Sequence, residues 1–309
     1  MFTLQRNVSL SPLTTFRIGG KAAYFTTTTG ALELAEAIEY AEQHGLPIFI
    51  FSGGSNVLFS DKGFMGMVIQ MKDGGIKVSG DRIFCGAGVT LLDVVRAACD
   101  AGLAGLERLA GIPGSLGGAV RGNAGAFGME IGAVISSVKA YVKDVGMVKE
   151  YRRDTCAFGY RASVFKKNTQ LIILSAEIKL APGDRDALIK IADETIATRE
   201  AKHPQDAKCA GSFFMNPIVR DEMLRQEFEK DTGMPPKGDT LPAGWLIDHV
   251  GLRGKTIGGA MVSDKHPNYL VNTGTATAEN IITLASLIKT RVRDELRIKL
   301  QEEVQLVGF

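Results

Sequence analysis

Two short stretches have residue types whose spacing could do chemistry, "SGGSN" at 52–56 and "GIPGSLGG" at 111–118. Tight glycine turns expose backbone N–H groups, and several together can surround an anion without any charged side chain. A diphosphate held in this way, helped by the hydroxyls of Ser55 and Ser115, would need no lysine. Two familiar phosphate-binding patterns are absent. A P-loop ends in Gly-Lys-Ser/Thr, and neither "RIGGKAA" nor "GIPGSLGG" supplies that ending. In "GAGVTL" (86–91), Leu91 stands where a dinucleotide-binding fingerprint requires its third glycine. Either turn alone could simply join two elements. Two of them, each after an apolar strand or helix, favour a ligand.

The remaining chemistry-bearing residues narrow the field. Cys85, Cys99, Cys156 and Cys209 are widely spaced, so no CxxC metal site or disulfide framework is written here. His249 and His266 lack a carboxylate or cysteine pattern that would make them metal ligands. Among 309 residues there are 36 basic and 34 acidic side chains, scattered rather than blocked. Such a balance leaves no electrostatic footprint for nucleic acid or an anionic membrane. The start, "MFTLQRNVSL", has no long apolar stretch, and no run is long enough to span a bilayer, which together predict a cytoplasmic protein without membrane insertion.

Elements must position these turns. "ALELAEAIEYAEQHG" (31–45) places Leu34, Ile38 and Ala41 on one helical face and stops at Gly45. "LPIFIFSGGSN" reads as a buried strand running into the first glycine turn. "VTLLDVVRAACDAG" (89–102) begins with Thr90 three residues before Asp93, a helix-start signal. "GMVIQM", "DRIFCGAG", "VISSVKAYV" and "TQLIILSAEIKLA" are strands. "DALIKIADETIATREAK" (186–202) is helical, with a boundary expected near His203-Pro204. A long amphipathic helix from about Thr277 turns Ile281, Leu284, Ile288 and Val292 inward, and "EEVQLVGF" closes as a short strand. Trp245 and Ile247 are expected to be buried. The pattern is α+β with short connections.

Six motifs then occur in order: "TTFRIGG" (14–20), "FSGGSNVLFSDKGFMG" (51–66), "GLERLAGIPGSLGGAVRGNAGAFGMEI" (105–131), "GYRAS" (159–163), "AGSFFMNP" (210–217) and "EEVQLVG" (302–308). Together, from about Thr14 to the C-terminus, the chain resembles the UDP-N-acetylenolpyruvoylglucosamine reductases, flavoenzymes of peptidoglycan precursor synthesis. The resemblance implies an α+β fold, with a two-part FAD-binding region of the vanillyl-alcohol-oxidase (PCMH) type followed by an α+β substrate-binding domain. The boundaries expected are 1–73 and 74–203 for the two FAD-binding parts and 204–302 for the substrate domain, with the terminal strand 303–309 returning to the first. The short span between Tyr160 and Ser212 leaves no room for the long tyrosine-bearing insertion of one subclass, so the chain is similar to the shorter type.

The same resemblance implies non-covalent FAD, NADPH as hydride donor and UDP-N-acetylglucosamine enolpyruvate as substrate. Around FAD it implies Gly53, Gly54, Ser55, Asn56 and Leu58 in the first loop. In the second it implies Gly111, Ile112, Pro113, Gly114 and Ser115, with Gly118 and Asn123 just beyond. NADPH would reduce the flavin, which would pass hydride to C3 of the enolpyruvyl ether. Negative charge then grows at C2 and its carboxylate, which calls for hydrogen-bonding or positive groups and a proton donor. Arg161 matches the arginine that polarises the carboxylate; a guanidinium offers two parallel donors. Ser212 matches the proton donor, a role open to a weak acid because a C2 carbanion is strongly basic. Glu303 matches the third catalytic position. Its neighbour Glu302 is the rival, and in a strand the two face opposite ways; the resemblance sets the acid immediately before the valine, here Val304. Tyr160, Lys202 and Asn216 match substrate-binding positions. Met215 departs from the pattern, standing where a lysine is frequent.

Bland alternatives exist for each. Arg161 could be a surface arginine after a turn, Ser212 part of a loop entering a buried strand, and Lys202 a solvated helix end. Two other functions compete. A different flavin oxidase or dehydrogenase of the same fold would carry a histidine or cysteine for covalent flavin attachment in the first loop, and "SGGSN" has neither. A non-catalytic flavin- or nucleotide-sugar-binding protein would have no need of Arg161, Ser212 and Glu303 together.

Overall fold

A computed structural model describes residues 2–72, 74–204 and 206–309. The expected boundary at Asp73 falls outside the described residues. Two compact units emerge, and neither is continuous in sequence. One comprises Met1–Val8, Ala22–Gly53 and Met65–Ala201, the other Ser9–Lys21, Gly54–Phe64 and Lys202–Phe309. Residues 9–21 and 54–64 join the C-terminal residues rather than their sequence neighbours, and the chain passes finally from one unit to the other at Ala201–Lys202.

Among the described residues the first unit contains two main sheets and two short two-stranded pairings, Gly125–Ala126 with Met129–Glu130 and Leu103–Ala104 with Ala181–Pro182. In the smaller of the main sheets, the strand order is Gln5–Ser9, Lys21–Thr28, Phe64–Met71, Ile48–Phe51, the last two pairing in parallel. The Ala31–Gln43 helix buries Leu34, Ala37, Ile38 and Ala41 against Met67 and Ile69, the face its spacing predicts. Ile48–Phe51 is only half-buried along its length, not the fully buried strand its apolar run suggested. The larger sheet is antiparallel throughout, ordered Met147–Arg152, Ile135–Val142, Leu171–Lys179, Arg82–Gly86, Ile76–Ser79. On it lies the Leu91–Asp100 helix, started by Thr90, whose hydroxyl accepts from the Asp93 N–H at 3.1 Å. That helix buries Leu91, Val94, Val95, Ala98 and Cys99.

The second unit forms around the Ala278–Leu296 helix, in which Ile281, Leu284, Ile288 and Val292 are all fully buried, as their spacing predicts. Thr277 and Asn280 close a reciprocal capping box at its start. A three-stranded antiparallel sheet, Thr256–Ile257, Ala260–Val262 and Leu270–Asn272, packs on it. Ile247 is fully buried, but Trp245 is only half-buried, its ring edge-on to Phe228. The terminal strand Gln305–Val307 pairs in parallel with Val57–Phe59. Each unit mixes helices with sheet, the α+β class expected.

Candidate functional site

In the first unit the start of the first glycine turn, Ser52–Gly53, meets the second turn. A Cβ placed on Gly53 would lie 3.6 Å from the Gly114 Cα, so the backbones pass at van der Waals distance. The Ser52 carbonyl that leads into the first turn accepts from the Gln70 side chain at 3.0 Å. The second turn is stapled by "GAGVTL": Leu91 N–H donates to the Gly114 carbonyl, Leu116 N–H to Val89 and Gly117 N–H to Ala87, at 2.8–2.9 Å. Arg199, from the Arg185–Lys202 helix, donates to the Gly111 carbonyl at 3.0 Å. These bonds spend the carbonyls of Ser52, Gly111 and Gly114 and the amides of Leu116 and Gly117. Among the described residues, the N–H groups of Gly53, Gly114 and Ser115 donate to no protein acceptor. Unspent amides on tight turns are what a diphosphate requires.

The turn residues divide by side chain. Gly114 has φ +122° and Gly111 φ +78°, conformations that L side chains rarely adopt. Ile112 packs against the core, Pro113 and Gly118 are exposed, and the Ser115 hydroxyl caps the Leu116–Gly122 helix with a long 3.4 Å bond from Gly118 N–H. Asn123, 1% exposed, ends that helix and spends its side chain on Glu130, Gly132 and Gly159.

The remaining first-loop residues belong to the second unit. A Cβ on Gly54 would collide with the Leu13 carbonyl. Ser55 is half-buried, and the Asn56 side chain donates to the Glu303 carbonyl at 3.2 Å. The Leu58 side chain is wholly buried in that unit's core, so any contact it makes with a ligand runs through its main chain.

Arg161 lies in the first unit, at the tip of a turn closed by two bonds between Gly159 and Ala162, at 3.0 and 3.1 Å. Its φ is +51°, in the left-handed region where glycine is normal. Its guanidinium carbon sits 5.5 Å from the centre of the Tyr160 ring, within cation–π range, and Tyr160 is 52% exposed.

Ser212 and Glu303 lie in the second unit, where main-chain bonds bring their segments together. Glu303 N–H donates to the Phe213 carbonyl at 2.8 Å, and Met215 N–H to the Gln301 carbonyl at 2.9 Å. Both Ser212 and Glu303 are half-buried. On the other side of Phe213, its N–H donates to the Asn268 carbonyl at 2.7 Å. The Asn268 side chain, 3% exposed, completes the grip by accepting from Phe214 N–H at 2.9 Å and donating to the Phe214 carbonyl at 2.8 Å. Here a side-chain amide takes the place of a neighbouring strand. Asn216 accepts from Ala243 N–H at 3.0 Å, and Lys202 is exposed at its helix end.

Sequence reasoning missed Gln70, Arg199's grip on Gly111, and Asn268. Gln70 and Asn268 are polar residues beside apolar runs and Arg199 stands on a helix, and periodicity gives no sign of which loop each will meet. Among the described residues no group of three or more His, Cys, Asp or Glu could hold a metal ion. All four cysteines are buried thiols, and burial pushes Cys85 up to about 12 and Cys156 to about 11.

Comparison with known proteins matches residues 203–307 to the C-terminal domain of UDP-N-acetylenolpyruvoylglucosamine reductase and residues 22–149 to an FAD binding domain. The UDP-N-acetylenolpyruvoylglucosamine reductase of Solibacter usitatus is 35% identical over 310 residues, covering 97% of this chain and 95% of that protein. That of Carboxydothermus hydrogenoformans is 36% identical over 304 residues, covering 98% and 93%. The crystal structure of the enzyme from Thermus caldophilus superposes with a TM-score of 0.79 at 30% identity, covering all of both chains.

Proposed function

The chain belongs to the UDP-N-acetylenolpyruvoylglucosamine reductase family, and we propose how its own residues divide that family's reaction. It is an FAD-dependent oxidoreductase that converts UDP-N-acetylglucosamine enolpyruvate to UDP-N-acetylmuramate. The observation that carries this is a likeness running over the whole chain, cradle and Ser212–Glu303 region alike.

Gly53, Gly54, Ser55 and the 111–115 turn would hold the FAD diphosphate through main-chain amides, a fit supported by the unspent N–H groups of Gly53, Gly114 and Ser115. When bound, the flavin supplies what no side chain here can, a two-electron carrier between NADPH and C3 of the enolpyruvyl group. Arg161 grips the substrate carboxylate and meets the charge that grows there during reduction. Ser212 Oγ donates its proton to C2, and Glu303, protonated or hydrogen-bonded, completes the set around the same carboxylate, since two bare carboxylates would repel. Tyr160, Lys202 and Asn216 bind the rest of the nucleotide sugar. NADPH as donor and a cytoplasmic setting complete the reading; four buried thiols suit a reducing compartment.

The test is optical. Purified protein should be yellow, bleach with NADPH under anaerobic conditions, and regain colour when UDP-N-acetylglucosamine enolpyruvate is added. A colourless protein removes the flavin from the proposal. Bleached protein that recovers only on admitting oxygen makes it a flavoenzyme acting on some other substrate.

A further inference from the structure

The Leu116–Gly122 helix follows directly on Gly114–Ser115 of the second glycine turn, and its far end touches the turn that bears Arg161. Two side chains make that contact. Asn123, left-handed at φ +45° and 1% exposed, donates from Nδ2 to the Gly159 carbonyl at 2.9 Å and to Glu130 Oε2 at 2.8 Å. Its Oδ1 accepts from Gly132 N–H at 2.9 Å. Both amide hydrogens are therefore spent inside the protein, which leaves this side chain a bracket and not a ligand for the cofactor. Nor could the position opposite be enlarged, since a Cβ on Gly132 would lie 2.7 Å from Asn123 Oδ1. The second contact comes from Ser163, fully buried, whose hydroxyl donates to the Arg121 carbonyl at 2.6 Å in the same helix.

Gly159 and Ser163 flank the Tyr160–Arg161 tip on its two sides. Lys166 Nζ adds a bond to the Arg161 carbonyl at 2.8 Å, and Lys166 N–H is held by Ser163 Oγ at 3.2 Å. An arginine at φ +51° persists only where its surroundings over-determine the conformation. These bonds are those surroundings.

We propose that Asn123 and Ser163 are positioning residues for Arg161, which they hold by fixing both flanks of its turn to the end of the helix that leaves the cofactor cradle. The cradle and the arginine then share one rigid segment, and the guanidinium is placed relative to the glycine turns rather than floating on a surface loop. The inference rests on the reading of Arg161 as the group that grips the substrate carboxylate.

The experiment is a double-mutant cycle on flavin-loaded enzyme, crossing Ser163→Ala and Asn123→Gly with Arg161→Ala. Two quantities are read: the rate at which the enolpyruvyl sugar restores flavin colour, and the equilibrium affinity of the oxidised enzyme for that sugar by calorimetry. Each single variant should lose up to about 10²-fold in rate, the scale of an angstrom-sized misplacement, with weaker binding of the sugar. In the Arg161→Ala background both losses should disappear, because there is no longer a guanidinium to misplace. Losses that persist undiminished in that background, or single variants equal to the parent, overturn the proposal. Asn123→Gly keeps the left-handed backbone; if it yields no folded holoenzyme, the Ser163→Ala arm decides alone. If Arg161→Ala itself leaves both quantities at parent values, the reading of Arg161 has failed and takes this inference with it, a result distinct from additivity.

Discussion

Lys289 Nζ lies 2.7 Å from Glu302 Oε1, an ion pair that ties the first of two adjacent glutamates to the Ala278–Leu296 helix. Glu302 stands opposite Phe214 and sends its carboxylate to the Ala278–Leu296 helix, while the main chain of Glu303 is bonded to Phe213, next to Ser212. Lys289 and Glu302 side chains are 42% and 28% exposed, so solvent screens their pairing and it contributes about 1 kcal/mol or less. Glu302→Gln should therefore leave turnover within about twofold and barely move the melting temperature. Glu303→Gln should slow reduction of the enolpyruvyl sugar by about 10²-fold or more. Steady-state kinetics on the two variants check this; the opposite order would make Glu302 the acid.

The cradle depends on backbone more than on side chains. Gly114 has φ +122°, which a valine can adopt only with about 1–3 kcal/mol of strain. Gly114→Val should therefore weaken FAD binding by about tenfold or more on that energy, measured as flavin retained after gel filtration and by titration. Ser115→Ala loses only a long 3.4 Å cap, worth about 0.5 kcal/mol at the low end of capping energies, and should keep its flavin.

Arg161→Lys retains a positive charge and loses the planar fork. Turnover of the enolpyruvyl sugar should fall by about 10²-fold, in line with the loss of one transition-state donor. Rates of flavin bleaching and recolouring, measured separately by stopped flow, locate the loss. A variant as fast as the parent in recolouring would show that charge alone suffices.

Ser212→Ala should bleach with NADPH and then recolour very slowly on adding the sugar, because the proton proposed to reach C2 from Ser212 Oγ is missing. In heavy water the parent's recolouring should slow, while the variant's residual rate should lose that solvent effect. Full turnover by Ser212→Ala would place the proton elsewhere.

Burial raises the Cys85 thiol from 9.0 to about 12 and the Cys156 thiol from 9.0 to about 11. With folded values above the unfolded ones, the folded state holds more protons between pH 9 and 12. Their stabilising contribution is intact below pH 9 and is lost as pH rises, up to about 11 for Cys156 and about 12 for Cys85, by at most about 1.4 kcal/mol per pH unit for each thiol. Native protein should resist alkylation at pH 8, and its melting temperature should fall above pH 9. Cys85→Ala should flatten that fall; an unchanged slope would assign alkaline lability to other groups.

By itself the sequence determined the local elements, because their signals lie within a few residues. Apolar spacing selected the buried faces of the Ala31–Gln43 and Ala278–Leu296 helices, and Thr90, Thr277, Gly45 and Gly102 marked where helices start and stop. It also wrote out the two glycine turns, since left-handed backbone leaves its mark in residue type. Local reading erred where burial depends on what lies across an element: Ile48–Phe51 and Trp245 are half-buried. The tertiary structure alone decided which segments assemble into each unit, drawing 9–21 and 54–64 to the C-terminal residues. It alone set Glu302 on Lys289, Asn268 on Phe214 and Asn123 on Gly159. Hydrogen bonds and ion pairs across 13, 54 and 36 positions of chain have no period, and the polar residues that make them look the same in sequence as residues facing water. Only folding brings the partners within 3 Å.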